Sequence, residues 1–173
     1  MSNEKSLSPI AWVPSLYFAM GLPFIIISLV SVLMFSDLGV SDSLIAFWVS
    51  LIMLPWTLKP LWSPFMELYK TKKFFVVLTQ AVSGLAFALV ALCLPLPNNF
   101  AIAIAIMGVV AISGASHDIA ADGVYLTELT KEDQAKYIGW QGAFYNFAKI
   151  LANGALVFLA GTLKDSFGPV YAW

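Results

Sequence analysis

The 173-residue chain has no arginine, one cysteine and one histidine, and charged residues of both signs make up only 11% of it. With a net charge of -1, it lacks the basic surface of a nucleic-acid reader. Cys93 is alone, so an internal disulfide is excluded, and no Cys or His stands at metal-ligand spacing from it. It reads as a small buried packing residue. No metal and no cofactor is expected. What the chain does have is apolar sequence: 60% hydrophobic residues and a mean hydropathy of +0.85, against about 45–50% apolar and about 25% charged in a soluble domain. Several runs exceed the ~18 residues that mark a spanning candidate. The first is too long for the core of a signal peptide and lacks a small-residue cleavage site, so it is expected to remain as a membrane helix.

The pattern predicts an all-α membrane protein with about five spans, at residues 10–35, 44–62, 74–94, 100–121 and 137–163. Pro14 and the Gly21-Leu22-Pro23 triplet lie inside the first, where a proline frees a carbonyl and either kinks the helix or makes a hinge. Lysines gather in the N-terminus (Lys5), in the connection 63–73 (Lys70, Lys72, Lys73) and in the connection 122–136 (Lys131, Lys136), while 36–43 and 95–99 have none. Positive charge favours the cytoplasm, which puts the N-terminus and both lysine-bearing loops there and leaves Lys164 as the only outside lysine. Thr130-Lys131-Glu132-Asp133 has the form of a capping box and marks the start of the fifth helix. Tyr171 and Trp173, after Gly168-Pro169, are residues of a membrane edge. They suggest a fragment truncated before a sixth helix, a complete five-span protein being the alternative.

Function is read first from Lys149. A helix entering lipid at Tyr137 carries this residue ~18 Å inward at ~1.5 Å per residue, about the midplane of a core ~30 Å thick. A charge there costs roughly 2.5–3.5 kcal/mol and normally meets a partner or a wet cavity. Gly142, Asn146, Lys149 and Asn153 follow one another at four- and three-residue steps on one face, with Gln141 and Tyr145 beside them. Such a polar stripe points to a water-accessible pathway, and hence to a transporter.

The fourth span closes on Ser116-His117-Asp118-Ile119-Ala120-Ala121-Asp122. Asp118 and Asp122 share a face with the small residues Ala111, Gly114 and Ala115, where another helix can approach. Asp122 reads as an interfacial cap or loop anchor, or as a functional acid. Asp118, one turn deeper, reads as a proton-coupling or gating group. His117 points elsewhere, as a packed histidine or a proton shuttle, which makes a metal site with the two acids a weak reading. Lys59 lies at a depth like that of Asp118 and either snorkels to the headgroups or pairs with Asp118 or Asp122 in a contact that locks one conformational state.

Lys59-Pro60-Leu61-Trp62-Ser63-Pro64-Phe65-Met66-Glu67-Leu68-Tyr69 resembles the connection after the second helix of AmpG-type muropeptide permeases, members of the major facilitator superfamily. The Ser116–Asp122 segment resembles that family's Ser-x-Asp pattern with a second aspartate four residues on; Gly21-Leu22-Pro23 and the stretch from Gly142 to Gly161 are similar too. Glu67 falls where the superfamily's Gly-x-x-x-Asp-Arg-x-Gly loop has its aspartate, but Ser63 replaces the glycine and Leu68 the arginine. Members carry Tyr-Arg where this chain has Tyr145-Asn146, and a cation reappears here at Lys149. The resemblance covers essentially the whole chain. It implies the N-terminal half of a superfamily helical bundle in the bacterial inner membrane, importing anhydro-muropeptides with protons. The implied partners are the lipid bilayer, protons and an anionic sugar–peptide, with no nucleic acid. Lys149, Asn146, Tyr145, Gln141 and Asn153 would line the substrate path, with Tyr17, Trp140 and Phe144 as further aromatic surfaces for sugar. Asp118, Asp122, His117, Lys59 and Glu67 would serve coupling or gating.

Two other classes remain. A carrier for another anionic solute, of acetyl-CoA or drug type, would share the fold and need more cationic groups than Lys149. A membrane-embedded enzyme would need paired catalytic groups at one depth; only His117 with Asp118 offers a pair, and no nucleophile or metal triad accompanies it.

Overall fold

The computed structural model describes residues 8–173; Lys5, assigned above to the cytoplasmic side, lies outside them. Five helical stretches are long and apolar enough to cross a membrane: Pro9–Asp37, Asp42–Leu61, Lys72–Cys93, Asn99–Glu128 and Lys131–Ala172. No strand occurs among the described residues, as lipid demands of a chain that must satisfy its own backbone polar groups. This is an all-α membrane protein.

The helix ends depart from expectation where charge was taken as a stop signal. The fourth span does not close at Ala121 but continues to Glu128, so Asp122 is neither a cap nor a loop anchor. A charged residue on an accessible face is no helix breaker, and nothing in Asp122-Gly123-Val124-Tyr125 removes a hydrogen bond from the ladder. The connection 63–73 contains a short helix, Ser63–Leu68, with Pro64 in its first turn. The fifth stretch starts where its cap predicts, the Thr130 Oγ1 accepting from the Asp133 amide at 3.2 Å. It runs past Leu163 to a break at Gly168 (φ 75°, ψ 162°), a conformation open in practice only to glycine. Lys164, expected to stand alone beyond the span, is inside this stretch, 2.5 Å from Asp37 Oδ1. Trp173 Nε1 donates to Asp37 Oδ2 at 3.0 Å, which ties the far ends of the first and fifth spans.

Third packs on fourth, first packs on fifth, and the fourth also meets the first and second. In lipid such contacts rest on close packing rather than on water exclusion, and two glycines allow the closest. A Cβ at Gly21 would lie 2.6 Å from the Tyr145 carbonyl oxygen and 3.0 Å from Ala148 Cβ. One at Gly114 would lie 3.0 Å from both Pro23 Cβ and Trp56 Cζ2. Single π-helical turns interrupt the first span at Ile26–Val30 and the fifth at Ala152–Leu156, and these two turns pack against each other. Two buried apolar clusters result. One, around Phe35, Ile45, Leu94 and Met107, fills the end where the first span finishes. The other, around Val13, Tyr17, Ala121 and Tyr137, fills the end where it begins. The polar side chains of interest lie between the clusters and along the second.

Gly21→Ala is therefore expected to destabilise the bundle by about 1–3 kcal/mol, the usual cost of overpacking, and to lower the unfolding temperature in detergent. Gly161→Ala, whose added methyl meets open space, serves as the comparison and is expected to leave that temperature unchanged or slightly raised.

Candidate functional site

The second span is interrupted at Met53 and narrows to a 3-10 turn at Lys59–Leu61. This local geometry sets Trp56 and Lys59 toward the fourth span. Lys59 Nζ lies 2.6 Å from Asp118 Oδ2, and the Trp56 indole N–H donates to the same oxygen at 3.0 Å. Asp118 is only 8% exposed, and its other oxygen, Oδ1, has no hydrogen-bond partner in the structure. Of the two readings of Lys59, the structure has the pair rather than the snorkel, and with Asp118 rather than Asp122. A neighbouring contact, Trp62 Nε1 to Ser116 Oγ at 3.2 Å, holds the two helices in this register.

One turn further along the fourth span, Asp122 faces the first. The Tyr17 hydroxyl donates to Asp122 Oδ1 at 2.9 Å, and Gln141 Nε2 donates to the Tyr17 oxygen at 2.7 Å. Three spans thus converge on one hydroxyl. The group borders an open cavity of about 520 Å³ that Tyr125, Lys131 and Gln134 also line. Asp122 makes no ion pair with any described residue.

Lys149 is held differently again. Its ammonium sits 4.6 Å from the Tyr145 ring centroid and 5.2 Å from that of Phe24, and Phe24 in turn meets Trp56 edge-on at 5.5 Å. No acid among the described residues pairs with it. A cation–π contact contributes about 0.5–1 kcal/mol, or roughly 2 when desolvated. Two of them stabilise the charge while leaving its hydrogen-bonding capacity unspent. An anion arriving at Lys149 therefore needs to displace no resident carboxylate.

Other residues named from the sequence stand apart. Asn146 Nδ2 turns back to its own helix, donating to the Gly142 carbonyl at 2.8 Å. Asn153 is exposed within the π-turn. His117 is buried against the third span, its Nε2 3.2 Å from Gln80 Nε2, and its Nδ1 has no partner. Glu67 pairs with Lys72 at 3.0 Å on the exposed connection, where an ion pair contributes little to stability. Trp56 and Phe24 were not among the sequence candidates. The available signal was that Trp56 precedes Lys59 by three residues and Phe24 follows Tyr17 by seven, each spacing placing the two on one helical face. Among the described residues no group of His, Cys, Asp or Glu is placed to hold a metal ion.

Lys59→Met leaves a buried carboxylate facing apolar groups and is expected to lower stability by about 1–3 kcal/mol, the cost of stranding a buried acceptor. Adding Asp118→Asn is expected to restore part of that loss, since the amide carries no charge and still accepts from Trp56. A double-mutant cycle on thermal unfolding in detergent measures the coupling; additive effects would show that the two side chains do not interact.

Neither the curated proteins nor the solved structures contain a match to this chain. A family model does: that of the BT1 family aligns with residues 20–169, which reaches into all five helical stretches and includes every residue of the site except Tyr17. The chain belongs to the BT1 family, transmembrane transporters related to the major facilitator superfamily.

Proposed function

We propose that this transporter imports anhydro-muropeptides together with protons across the bacterial inner membrane, in the manner of the AmpG-type permeases its motifs resemble. In this reading the N-terminus and the two lysine-bearing connections face the cytoplasm. The chain supplies the N-terminal half of a bundle whose two halves rock about a central site. The observation that carries the proposal is Lys149, held by two aromatic rings with no acid beside it among the described residues. It is a cation free to receive the carboxylate of a sugar–peptide, and Tyr17, Phe24 and Tyr145 give flat surfaces near it for the sugar faces. Gln141 adds an amide to the same face. Asn146 and Asn153 lie further along that stripe and would meet the solute only from the open side.

Proton coupling is assigned to the Lys59–Asp118 pair. While Asp118 is ionised it holds Lys59 and Trp56 on one oxygen; a proton taken up on Oδ1 cancels the charge that holds the lysine and lets the second and fourth spans part. Asp122 is the second acid of this path. His117 and the Glu67–Lys72 pair would act at its edges, through the third span and the adjoining connection.

Uptake of labelled anhydro-muropeptide by cells making the full-length transporter tests this. Lys149→Ala is expected to cut uptake by roughly 10–100-fold, the equivalent of losing one charge-assisted hydrogen bond of about 1.5–3 kcal/mol, with membrane insertion unchanged. A protonophore is expected to abolish uptake in the unmutated protein. Normal insertion with no muropeptide uptake would make the substrate assignment wrong and favour a carrier for another anionic solute.

A further inference from the structure

A single file of side chains runs from the carboxylate of Asp118 to the ammonium of Lys149. The Trp56 indole N–H donates to Asp118 Oδ2 at 3.0 Å. The far edge of that indole is confined by the fourth span: a Cβ added at Gly114 would come within 3.0 Å of Trp56 Cζ2, and equally close to Pro23 Cβ. Phe24 meets the Trp56 ring edge-on, with centroids 5.5 Å apart and planes at 89°. The Lys149 ammonium lies 5.2 Å from the Phe24 centroid. Among the described residues, Phe24 alone pairs with Trp56 as a ring and with Lys149 as a cation–π partner.

Both contacts depend on how the Phe24 ring is turned, since an edge-to-face pair and a cation over a ring are each directional. A rotation that weakens one alters the other. The backbone under this ring is interrupted on both sides. Pro23 has no N–H to give the helical ladder, and the π-turn begins two residues later at Ile26. Such interruptions are where a helix bends, so Phe24 changes its setting at less cost than a ring in an unbroken helix.

We infer that Phe24 is a positioning residue that links the proton on Asp118 to the solute at Lys149. With Asp118 ionised, its carboxylate holds the Trp56 indole, Trp56 holds Phe24, and Lys149 stays on the ring. A proton on Asp118 weakens the charge-assisted bond to the indole. Trp56 and Phe24 are then released, and Lys149 exchanges a ring for the carboxylate of the solute. By linkage, a bound solute favours the protonated carboxyl by the same factor. The inference rests on the reading of Lys149 as the solute cation and of Asp118 as the proton carrier, and adds the residue through which one senses the other. The other titratable or charged groups that feel Asp118 are Lys59 on the second span, Asp122 on its own, Tyr17 on the first and Tyr145 on the fifth. Tyr145 also touches Lys149, so charge acting through space is the competing route.

Two measurements on the full-length transporter in detergent separate the ring from that route. The first needs no solute: unfolding temperatures are compared for Asp118→Asn, Lys149→Met and the double variant. The two shifts are expected to be non-additive by about 2 °C or more, to remain so with Phe24→Tyr, and to become additive with Phe24→Leu. Additive shifts in the presence of Phe24, or a non-additivity that survives Phe24→Leu, overturn the inference. The second follows the Kd of labelled anhydro-muropeptide between about pH 5 and about pH 8. Binding is expected to tighten about tenfold toward the acid end, within the usual range of coupling between two sites. That dependence is expected to vanish in Asp118→Asn and in Phe24→Leu, whatever these do to the affinity itself, and to persist in Phe24→Tyr. Binding that ignores pH in the unmutated protein, or a pH dependence untouched by Phe24→Leu, overturns the inference and keeps the muropeptide reading. No muropeptide binding at any pH removes the substrate assignment, and the unfolding temperatures alone then decide for or against Phe24.

Discussion

A carboxylate enclosed by helices in lipid has to find its hydrogen-bond donors within the protein, and Asp118 finds two of them on the second span for a single oxygen. Much of the bundle is arranged around that requirement. The second span departs from regular α-helix at Met53 and again at Lys59–Leu61, and Gly114 leaves room for the Trp56 ring to come close to the fourth span. Phe24 then rests edge-on against Trp56, and Lys149 rests on Phe24. One buried charge thereby fixes the relative setting of four helices. The third span is tied in separately, through Ser83 Oγ donating to Ser113 Oγ and Ser113 Oγ to the Thr79 carbonyl, both buried.

Neutralised and unneutralised charges also divide the molecule by task. An ion pair drawn from two helices contributes modest net stability once desolvation is counted, but it makes one arrangement of those helices distinct from others. A charge left on hydroxyl or ring contacts costs stability and keeps affinity in reserve. Both kinds occur within a few turns of each other here, so the residues that tie the helices together and those whose charge is left unpaired are different ones.

The fold was legible because apolar runs in a chain with 11% charge have few readings, and the five spans were located with errors mainly at their ends. Those errors have a common origin: Asp122 and Lys164 were treated as marking helix ends, whereas each lies inside a helix and meets a polar partner from another span. The charged members of the site stood out for the same reason, being rare. Their partners did not. Whether Lys59 reaches Asp118 or Asp122 depends on how the second span bends, and Phe24 and Trp56 are two aromatic residues among many, distinguished only by what they touch. His117 was expected to point away from the acids, and it does, against the third span.

The π-turn at Ala152–Leu156 has its own bearing on how the fifth span is read. Such a turn inserts one residue beyond the α-helical repeat, so all that follows is rotated by about 100° relative to a regular helix. A helical wheel drawn from Tyr137 is valid as far as Leu151 and false beyond it. The same rotation gives the span two working faces. Its first part turns Gln141 and Lys149 toward Tyr17 and Phe24 of the first span, and its last part turns Lys164 onto Asp37. A single extra residue lets one helix hold a cation against aromatic rings along part of its length and act as a strut along the rest.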